Sequence, residues 1–309
     1  MKKYLEFSKD VKEAFKKKQS VIALESTIIS HGMPYPQNLE VAGKLEAIAR
    51  EMGVIPATIC LMDGKVKIGL VQKDLELLAK ADNIAKVSRR DIGRIIATKK
   101  VGATTVAATM IAANWAGIKV FATGGIGGVH RNAENTFDVS NDLIELSRVP
   151  VIVVSAGAKA ILDLSKTLEY LETMGVPVYG YRTDRFPAFY SSQSNLKVDK
   201  LDTPRQIADI YKTNIKLGLI NGILVANPIP EKYEIPFAEM EGYIDSALEK
   251  ADENNITGRE LTPFLLSEIV KITEGRSLQA NIKLVENNVR LACEIEKILY
   301  YTCSQKCEV

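Results

Sequence analysis

Seven short apolar runs, each ending in or running into a glycine or a polar residue, limit what this chain can fold into. They cover residues 21–25, 57–62, 65–69, 118–122, 150–155, 177–181 and 221–226. Each is long enough for a strand and too short for a buried helix. Amphipathic stretches at 9–18, 38–52, 73–82, 103–115, 158–173 and 203–217 separate them, and such alternation marks an α/β domain. Asn38 stands as a cap before Leu39, Ala42, Leu45 and Ile48, which recur at helical spacing. Asp63-Gly64 between two strands reads as a tight hairpin turn, so the sheet is expected to be mixed rather than wholly parallel. From about residue 236 onward the pattern is all-helical, with a break at 258–263 before two long helices. With no internal repeat, low-complexity segment or Pro/Gly/Ser linker, a single domain over 1–309 is expected, its core at 20–298 and a tail at 299–309.

Composition narrows the function classes. A chain of 309 residues can bury a sizeable core, and 46% hydrophobic with 25% charged residues is the make-up of an ordinary globular protein. The net charge is only +2 with both signs interspersed, so no nucleic-acid footprint shows. Arg89-Arg90 and Lys99-Lys100 read as solvated helix faces or local phosphate contacts. A Lys-rich segment rather than an apolar one follows Met1, so no signal peptide is expected, and no run approaches the roughly 18 apolar residues of a membrane span. Cys60, Cys293, Cys303 and Cys307 are few and irregularly spaced, which suits a reducing cytosol and sets a cytoplasmic expectation. Cys303 and Cys307, with no histidine near, read as free thiols rather than a metal site. The two histidines, His31 and His130, fall in glycine-containing loops and are too few for a multi-histidine metal centre.

The residues able to do chemistry cluster just after the strands, where open α/β sheets place their ligand crevice. Lys159 closes the segment 151–160, which breaks at Gly157 and is read as passing into a helix. An amine among apolar neighbours at the positive end of a helix dipole is pushed towards neutral NH2, which can attack a carbonyl and form a Schiff base. The alternative is a lysine that snorkels to the surface. Glu25 ends the run 21–25, and a carboxyl in such a place has a raised pKa and can act as acid or base; it could also cap a turn or pair with a lysine. Residues 102–110 are read as opening a helix with small residues, where exposed N–H groups with Thr104 and Thr105 would suit a phosphate and Lys86 and Arg89 could supply positive charge.

Residues 123–131 carry four glycines in five positions, implying close backbone approach. They form neither the dinucleotide fingerprint, since His130 stands where its last glycine belongs, nor a phosphate-binding Walker loop. Asp138 and Asp142 straddle a helix start at Ser140; two carboxylates with few nitrogen donors favour a hard cation such as Mn²⁺ or Mg²⁺, though either Asp138 or Ser140 could simply cap the helix. Phe186, Phe189 and Tyr190 could stack on a base or belong to the core.

Several segments taken in order carry a resemblance. These are residues 23–32 (Ala-Leu-Glu-Ser-Thr-Ile-Ile-Ser-His-Gly), 86–91, 102–107, 121–131, 136–143, 155–163, 186–190 and 226–230. Over about residues 20–290 the chain resembles the pseudouridine-5′-phosphate glycosidase family, also called the indigoidine synthase A-like family. The resemblance implies a three-layer α/β/α fold with a mixed central sheet and a helical C-terminal region, assembled as a homotrimer. It implies a lyase-type glycosidase that reversibly splits pseudouridine 5′-phosphate into uracil and ribose 5-phosphate. Lys159 would then be the nucleophile, Glu25 the proton donor and Asp138 the holder of a Mn²⁺ ion. Lys86, Val106 and Ser140-Asn141-Asp142 would contact the sugar phosphate, with Thr105, His130 and Asn281 as further binding candidates.

Three other readings stand beside it. One is an imine-forming lyase or aldolase on another phosphorylated sugar, sharing Lys159 and the phosphate site. The second is a non-catalytic sugar-phosphate or nucleotide sensor, against which the joint presence of Lys159, Glu25 and Asp138 argues. The third, an NAD-dependent enzyme using the glycine loop, is disfavoured by the failed fingerprint. No nucleic-acid or membrane partner is expected.

Overall fold

The computed structural model describes residues 1–256 and 261–304. In chain order its strands are β1 (Leu5–Phe7), β2 (Val21–Leu24), β3 (Ile55–Met62), β4 (Lys65–Ile68), β5 (Ala85–Val87), β6 (Gly102–Thr104), β7 (Val120–Ala122), β8 (Val129–His130), β9 (Ile152–Ser155), β10 (Leu162–Asp163), β11 (Val178–Tyr181), β12 (Asp199–Leu201) and β13 (Ile223–Ala226). Its α-helices are α1 (Lys9–Lys16), α2 (Thr27–Ser30), α3 (Gln37–Glu51), α4 (Gln72–Lys80), α5 (Arg89–Ala97), α6 (Val106–Ala116), α7 (Ala133–Thr136), α8 (Asn141–Leu146), α9 (Leu164–Thr173), α10 (Pro204–Lys216), α11 (Phe237–Glu253), α12 (Leu261–Ile272) and α13 (Arg276–Ser304).

All seven apolar runs become strands, as β2, β3, β4, β7, β9, β11 and β13. One sheet carries them in the order β1-β4-β3-β2-β7-β9-β13-β11-β12, with β6 branching from β3 and β5 pairing with β6. Every pairing in it is parallel except β3 against β4 and β3 against β6, so the sheet is mixed as the hairpin signal implied. Asp63 and Gly64 both take positive φ (57° and 73°), the conformation a two-residue hairpin needs to follow the strand twist. The central strands β2, β7, β9 and β13 are buried at every residue, because helices cover both faces. On one face α13 packs on β2, β7 and β9 beside α3 and α10; α6, with α5 and α8, packs on β2, β3, β4 and β7.

The structure departs from the sequence reading in several places. Residues 102–104 are strand β6, not helix. A Cβ at Gly102 would stand 2.4 Å from Val87 Cγ2, so the small residues there serve strand-to-strand packing. Asn38 does not cap α3, whose N-cap is Pro36; its amide instead donates to the carbonyls of Ile29 (2.8 Å) and Ala79 (3.0 Å), tying α2 and α4 together. Residues 158–163 form no helix, and α9 begins only at Leu164 behind its cap Asp163. The core also reaches beyond 20–298: Val11 and Ala14 are fully buried, and α13 continues to Ser304 with Leu299 buried. The expected break at 258–263 falls partly, and the side chains of Cys303 and Cys307 wholly, outside the described residues. Among those described, no helix is long and apolar enough to cross a membrane.

Candidate active site

Parallel pairing lines up the strand ends that matter. Leu24 is in register with Ala122, Ala122 with Val154, and Ala226 with Ser155. The chain therefore leaves β2, β7, β9 and β13 along one edge, delivering Glu25, Thr123, Ala156 and Asn227 side by side. Backbone bonds from Thr123 N–H to the Val154 carbonyl (3.0 Å), Ala156 N–H to Gly124 (2.8 Å) and Asn227 N–H to Ser155 (2.8 Å) carry the ladder past the strands. That edge is the carboxyl end of parallel strands, where this class of sheet places its ligand.

Glu25 is buried there with each carboxyl oxygen held by a hydroxyl, Oε1 by Thr123 and Oε2 by Thr27. Burial pushes its pKa above the ordinary 4.5; the charge of Lys159, and each threonine hydroxyl in so far as it donates to the carboxyl, work against that rise, and Asp142 adds to it. A carboxyl kept towards its acid form suits proton donation.

Lys159 follows Gly157, which turns the chain at φ 84° where a Cβ would stand 2.4 Å from the Pro187 carbonyl oxygen. Its backbone is stitched to the glycine loop: Lys159 N–H donates to Ile126 (3.1 Å) and Ile126 N–H to Gly157 (3.0 Å). The helix dipole expected to act on this amine is absent, since α9 starts at Leu164 and 158–163 turn back into β10. What the structure supplies instead is a half-buried amine across β7 from Glu25, its charge reaching that carboxyl. Phe186, Phe189 and Tyr190 are buried beneath this turn, so of the two readings open for them the core one holds.

The glycine loop is close-packed for a reason. A Cβ on Gly127 would lie 2.2 Å from Ser140 Oγ and 2.8 Å from Asp142 Oδ2, and one on Gly125 would lie 2.6 Å from the Phe189 ring. Ser140 caps α8, as expected, and Asp142 is buried in its first turn. Asp142 spends both oxygens on backbone, Oδ1 on Ala107 N–H (2.8 Å) and Oδ2 on Gly127 N–H (2.8 Å), clamping the start of α6 to the glycine loop. Thr105 caps α6 by accepting from Ala108 N–H (3.4 Å). That leaves Val106 N–H as the first-turn donor with no side-chain acceptor among the described residues.

Of the two cations expected near a phosphate, one stands near the α6 cap and the other does not. Lys86, exposed on β5, is in register with Ala103 of β6, one strand residue short of the α6 cap, and its charge reaches both histidines. Arg89 is committed elsewhere: its guanidinium grips both oxygens of the fully buried Glu145, one contact at 2.6 Å, with Asn141 Nδ2 also on that carboxylate (3.3 Å). A buried carboxylate requires such a partner, and this one locks α5 to α8.

His130, on β8, has its pKa lowered by burial and by Lys159 and Lys86, against the opposing pull of Asp138. Its Nε2 lies 3.9 Å from Asp138 Oδ2, and its N–H donates to the Asp138 carbonyl (3.0 Å). Among the described residues no three His, Cys, Asp or Glu side chains converge as a metal cage. A lone, partly exposed carboxylate with an imidazole beside it suits a hard cation that draws most of its shell from water and substrate oxygen. Asn281 also reaches the site from α13: its Oδ1 is buried without a partner among the described residues and lies 3.3 Å from where a Gly124 Cβ would be.

Several contributors were not singled out from sequence. Asn288 is fully buried on α13, donating to the Thr123 carbonyl (2.8 Å) and accepting from Asn227 Nδ2 (3.0 Å). The signal was available, because Asn281 and Asn288 interrupt the apolar stripe of Leu278, Val285, Val289 and Ala292. His31 bonds the Ile84 backbone and keeps a buried, unpartnered Nε2, its pKa lowered by burial and by Lys86. Thr27 and Thr123 were visible only as members of motifs.

Residues 10–297 match the family model described as indigoidine synthase A like protein. A pseudouridine-5′-phosphate glycosidase of Petrotoga mobilis is 56% identical over 295 residues, spanning 95% of this chain and 96% of that protein. One of Staphylococcus aureus is 55% identical over 296 residues, spanning 96% of each. Among solved structures, the prealnumycin C-glycosynthase AlnA in complex with ribulose 5-phosphate superposes with a TM-score of 0.90 at 37% identity, covering 97% of this chain and 98% of that one. An indigoidine synthase A-like protein from Thermotoga maritima superposes with a TM-score of 0.87, also at 37% identity, covering 96% of each.

Proposed function

Because this chain belongs to the indigoidine synthase A-like family, we propose that it is a pseudouridine-5′-phosphate glycosidase, reversibly splitting pseudouridine 5′-phosphate into uracil and ribose 5-phosphate. The observation that carries the reading is that Glu25 and Lys159 leave strands on either side of β7, a buried acid and a half-buried amine whose charge reaches it.

The chemistry accounts for that pair. An O- or N-glycoside departs once its leaving atom is protonated, with two carboxylates managing the sugar cation. A C-glycoside has no lone pair at the carbon to be cleaved. Glu25 protonates the ribose ring oxygen, and the C1′–O bond opens with electron density drawn from the pyrimidine. The Lys159 amine, attacking in its neutral form, then adds to C1′. The ammonium so formed returns a proton to the Glu25 carboxylate, which passes it to the uracil carbon, and the freed nitrogen lone pair then forms C=N as the C1′–C5 pair returns to the pyrimidine ring. Water hydrolyses the imine and releases ribose 5-phosphate. Lys86, Val106 N–H and Ser140 bind the phosphate, with Thr105 and Asn141 shaping that end, and this remote contact holds the reacting carbon in place. Asp142 keeps the α6 terminus and the glycine loop at their spacing, and Asn281 and His130 offer polar atoms to the sugar or base.

Asp138 is the residue that would hold a Mn²⁺ ion, which when bound polarises and orients sugar or base oxygens. A homotrimer in the cytoplasm belongs to the same proposal.

The test is to incubate the protein with pseudouridine 5′-phosphate and Mn²⁺ and follow free uracil, adding borohydride during turnover. A reduced ribose-phosphate adduct on Lys159 is expected, and Lys159→Ala should keep the fold while losing turnover by several orders of magnitude. A near-normal rate in that variant overturns the imine. The likeness to a C-glycosynthase solved with ribulose 5-phosphate favours a second reading, imine chemistry on another pentose phosphate. Trapping with that sugar but no release of uracil would select it.

A further inference from the structure

Thr27 and Thr123 both touch the Glu25 carboxyl, yet their positions differ. Thr123 Oγ1 meets Oε1 and has no second acceptor among the described residues. Thr27 Oγ1 stands between two acceptors, Glu25 Oε2 and the carbonyl oxygen of Thr104 at 3.2 Å. A hydroxyl has one proton to give. Were Glu25 a carboxylate, one of the two contacts of Thr27 would hold no proton. With the carboxyl protonated on Oε2, each contact holds one, Oε2–H to Thr27 and Thr27 O–H to the Thr104 carbonyl.

Neither end of this chain of bonds can shift cheaply. Thr104 is fixed by its N–H on Ser26 Oγ (2.9 Å), its own hydroxyl on the Ile59 carbonyl (2.7 Å) and the Thr109 hydroxyl on its Oγ1 (2.9 Å). Ser26 Oγ donates to the same Ile59 carbonyl (2.6 Å). On the other side Asn288 holds the Thr123 carbonyl. All of these side chains are buried, where an unmade hydrogen bond is expensive.

We propose that Thr27 and the Thr104 carbonyl form a relay that keeps Glu25 a neutral acid, its proton on Oε2, in the ligand-free protein, while Thr123 serves only as a donor to Oε1. Thr27 is thus a positioning residue for the proton. The proposal rests on the reading of Glu25 as proton donor. The charges facing Glu25 are Lys159, from the turn after β9, which favours the carboxylate, and Asp142, from α8, which opposes it; burial favours the acid.

The two threonines then act with opposite sign. Removing the Thr27 hydroxyl takes two filled contacts from the acid, Oε2–H to Thr27 and Thr27 O–H to Thr104, but only one from the carboxylate. Removing the Thr123 hydroxyl takes a donor from the carboxylate. Infrared difference spectra of the ligand-free full chain, wild type minus Glu25→Gln, read the carboxylic-acid band across pH. The band should be present at neutral pH. Thr27→Val should lower its midpoint by on the order of one pH unit, Thr123→Val should raise it by a similar amount, and Thr27→Ser should leave it in place. Thr27→Ala carries the same sign should the valine not fold. Absence of the acid band, or a rise in both threonine variants, overturns the relay. Release of uracil is scored separately: an intact band without turnover sinks the substrate reading alone, and turnover without the band sinks the relay alone.

Discussion

Glu296→Gln should make the protein more stable at neutral pH and remove a large part of its pH dependence. Glu296 lies on α13, against the starts of β2 and β7 and far from the strand ends that carry the site. It is buried, bonded to Val21 N–H, with Oε2 left without a partner among the described residues, and burial outweighs the pull of Lys119 to push its pKa up to about 8 from the ordinary 4.5. A carboxyl whose folded pKa is raised has its stabilising contribution fully present below the unfolded value. That contribution is lost as pH rises, because the unfolded chain releases the proton first. With 4.5 unfolded and about 8 folded, the loss accumulated by about pH 7 is roughly 3 kcal/mol, at about 1.4 kcal/mol per pH unit. Glutamine keeps the carbonyl for Val21 and cannot titrate. Its NH2 adds a fixed offset of about 1–3 kcal/mol if left unbonded, so the slope and not the intercept carries the test. Denaturant unfolding of both proteins at one protein concentration, from about pH 4.5 to about pH 8, measures it. The variant should gain steadily on the wild type across that window. Parallel curves would refute the reasoning.

The remaining predictions concern the site. Gly127→Ala drives a Cβ to 2.2 Å from Ser140 Oγ, so it should destabilise by about 1–3 kcal/mol and raise KM more than it lowers kcat, read by unfolding and steady-state kinetics. Lys86→Ala should cut kcat/KM roughly 10- to 100-fold through a lost charge-assisted phosphate contact, with little change in stability. Arg89→Ala should do the reverse, costing about 3–5 kcal/mol because Glu145 is left buried and unpaired. If Asp138 is the one carboxylate holding a Mn²⁺ ion, as proposed, chelation should abolish uracil release with little change in Tm, and Mn²⁺ should restore it.

Much of the architecture was legible because it is written in local patterns. Seven strands, the Asp63-Gly64 hairpin and the helical C-terminal quarter follow from periodicity and turn chemistry. The strands that were missed, β1, β5, β6, β8, β10 and β12, have only two or three residues, too few to show a period, and exist because distant partners align them. Lys159 and Glu25 could be named from sequence, but the reason given for Lys159 was incomplete. The chain after Gly157 turns along the glycine loop instead of starting a helix, a choice made by Ile126 and Pro187 and not by residues 157–163 themselves.

Sequence alone therefore determined the seven apolar strands, the glycine positions where only a bare backbone fits, and the family. It did not determine which polar groups pair, because those partners are far apart along the chain: Thr123 finds Glu25, Asn288 finds Thr123 and Arg89 finds Glu145 only once parallel strands and helices are in register. Hydrophobic patterning specifies which face of an element is buried, whereas the pairing of buried polar groups is set by three-dimensional position, and in this protein that pairing ties Asp142 to backbone and Glu145 to Arg89 while it sets Glu25 between two hydroxyls.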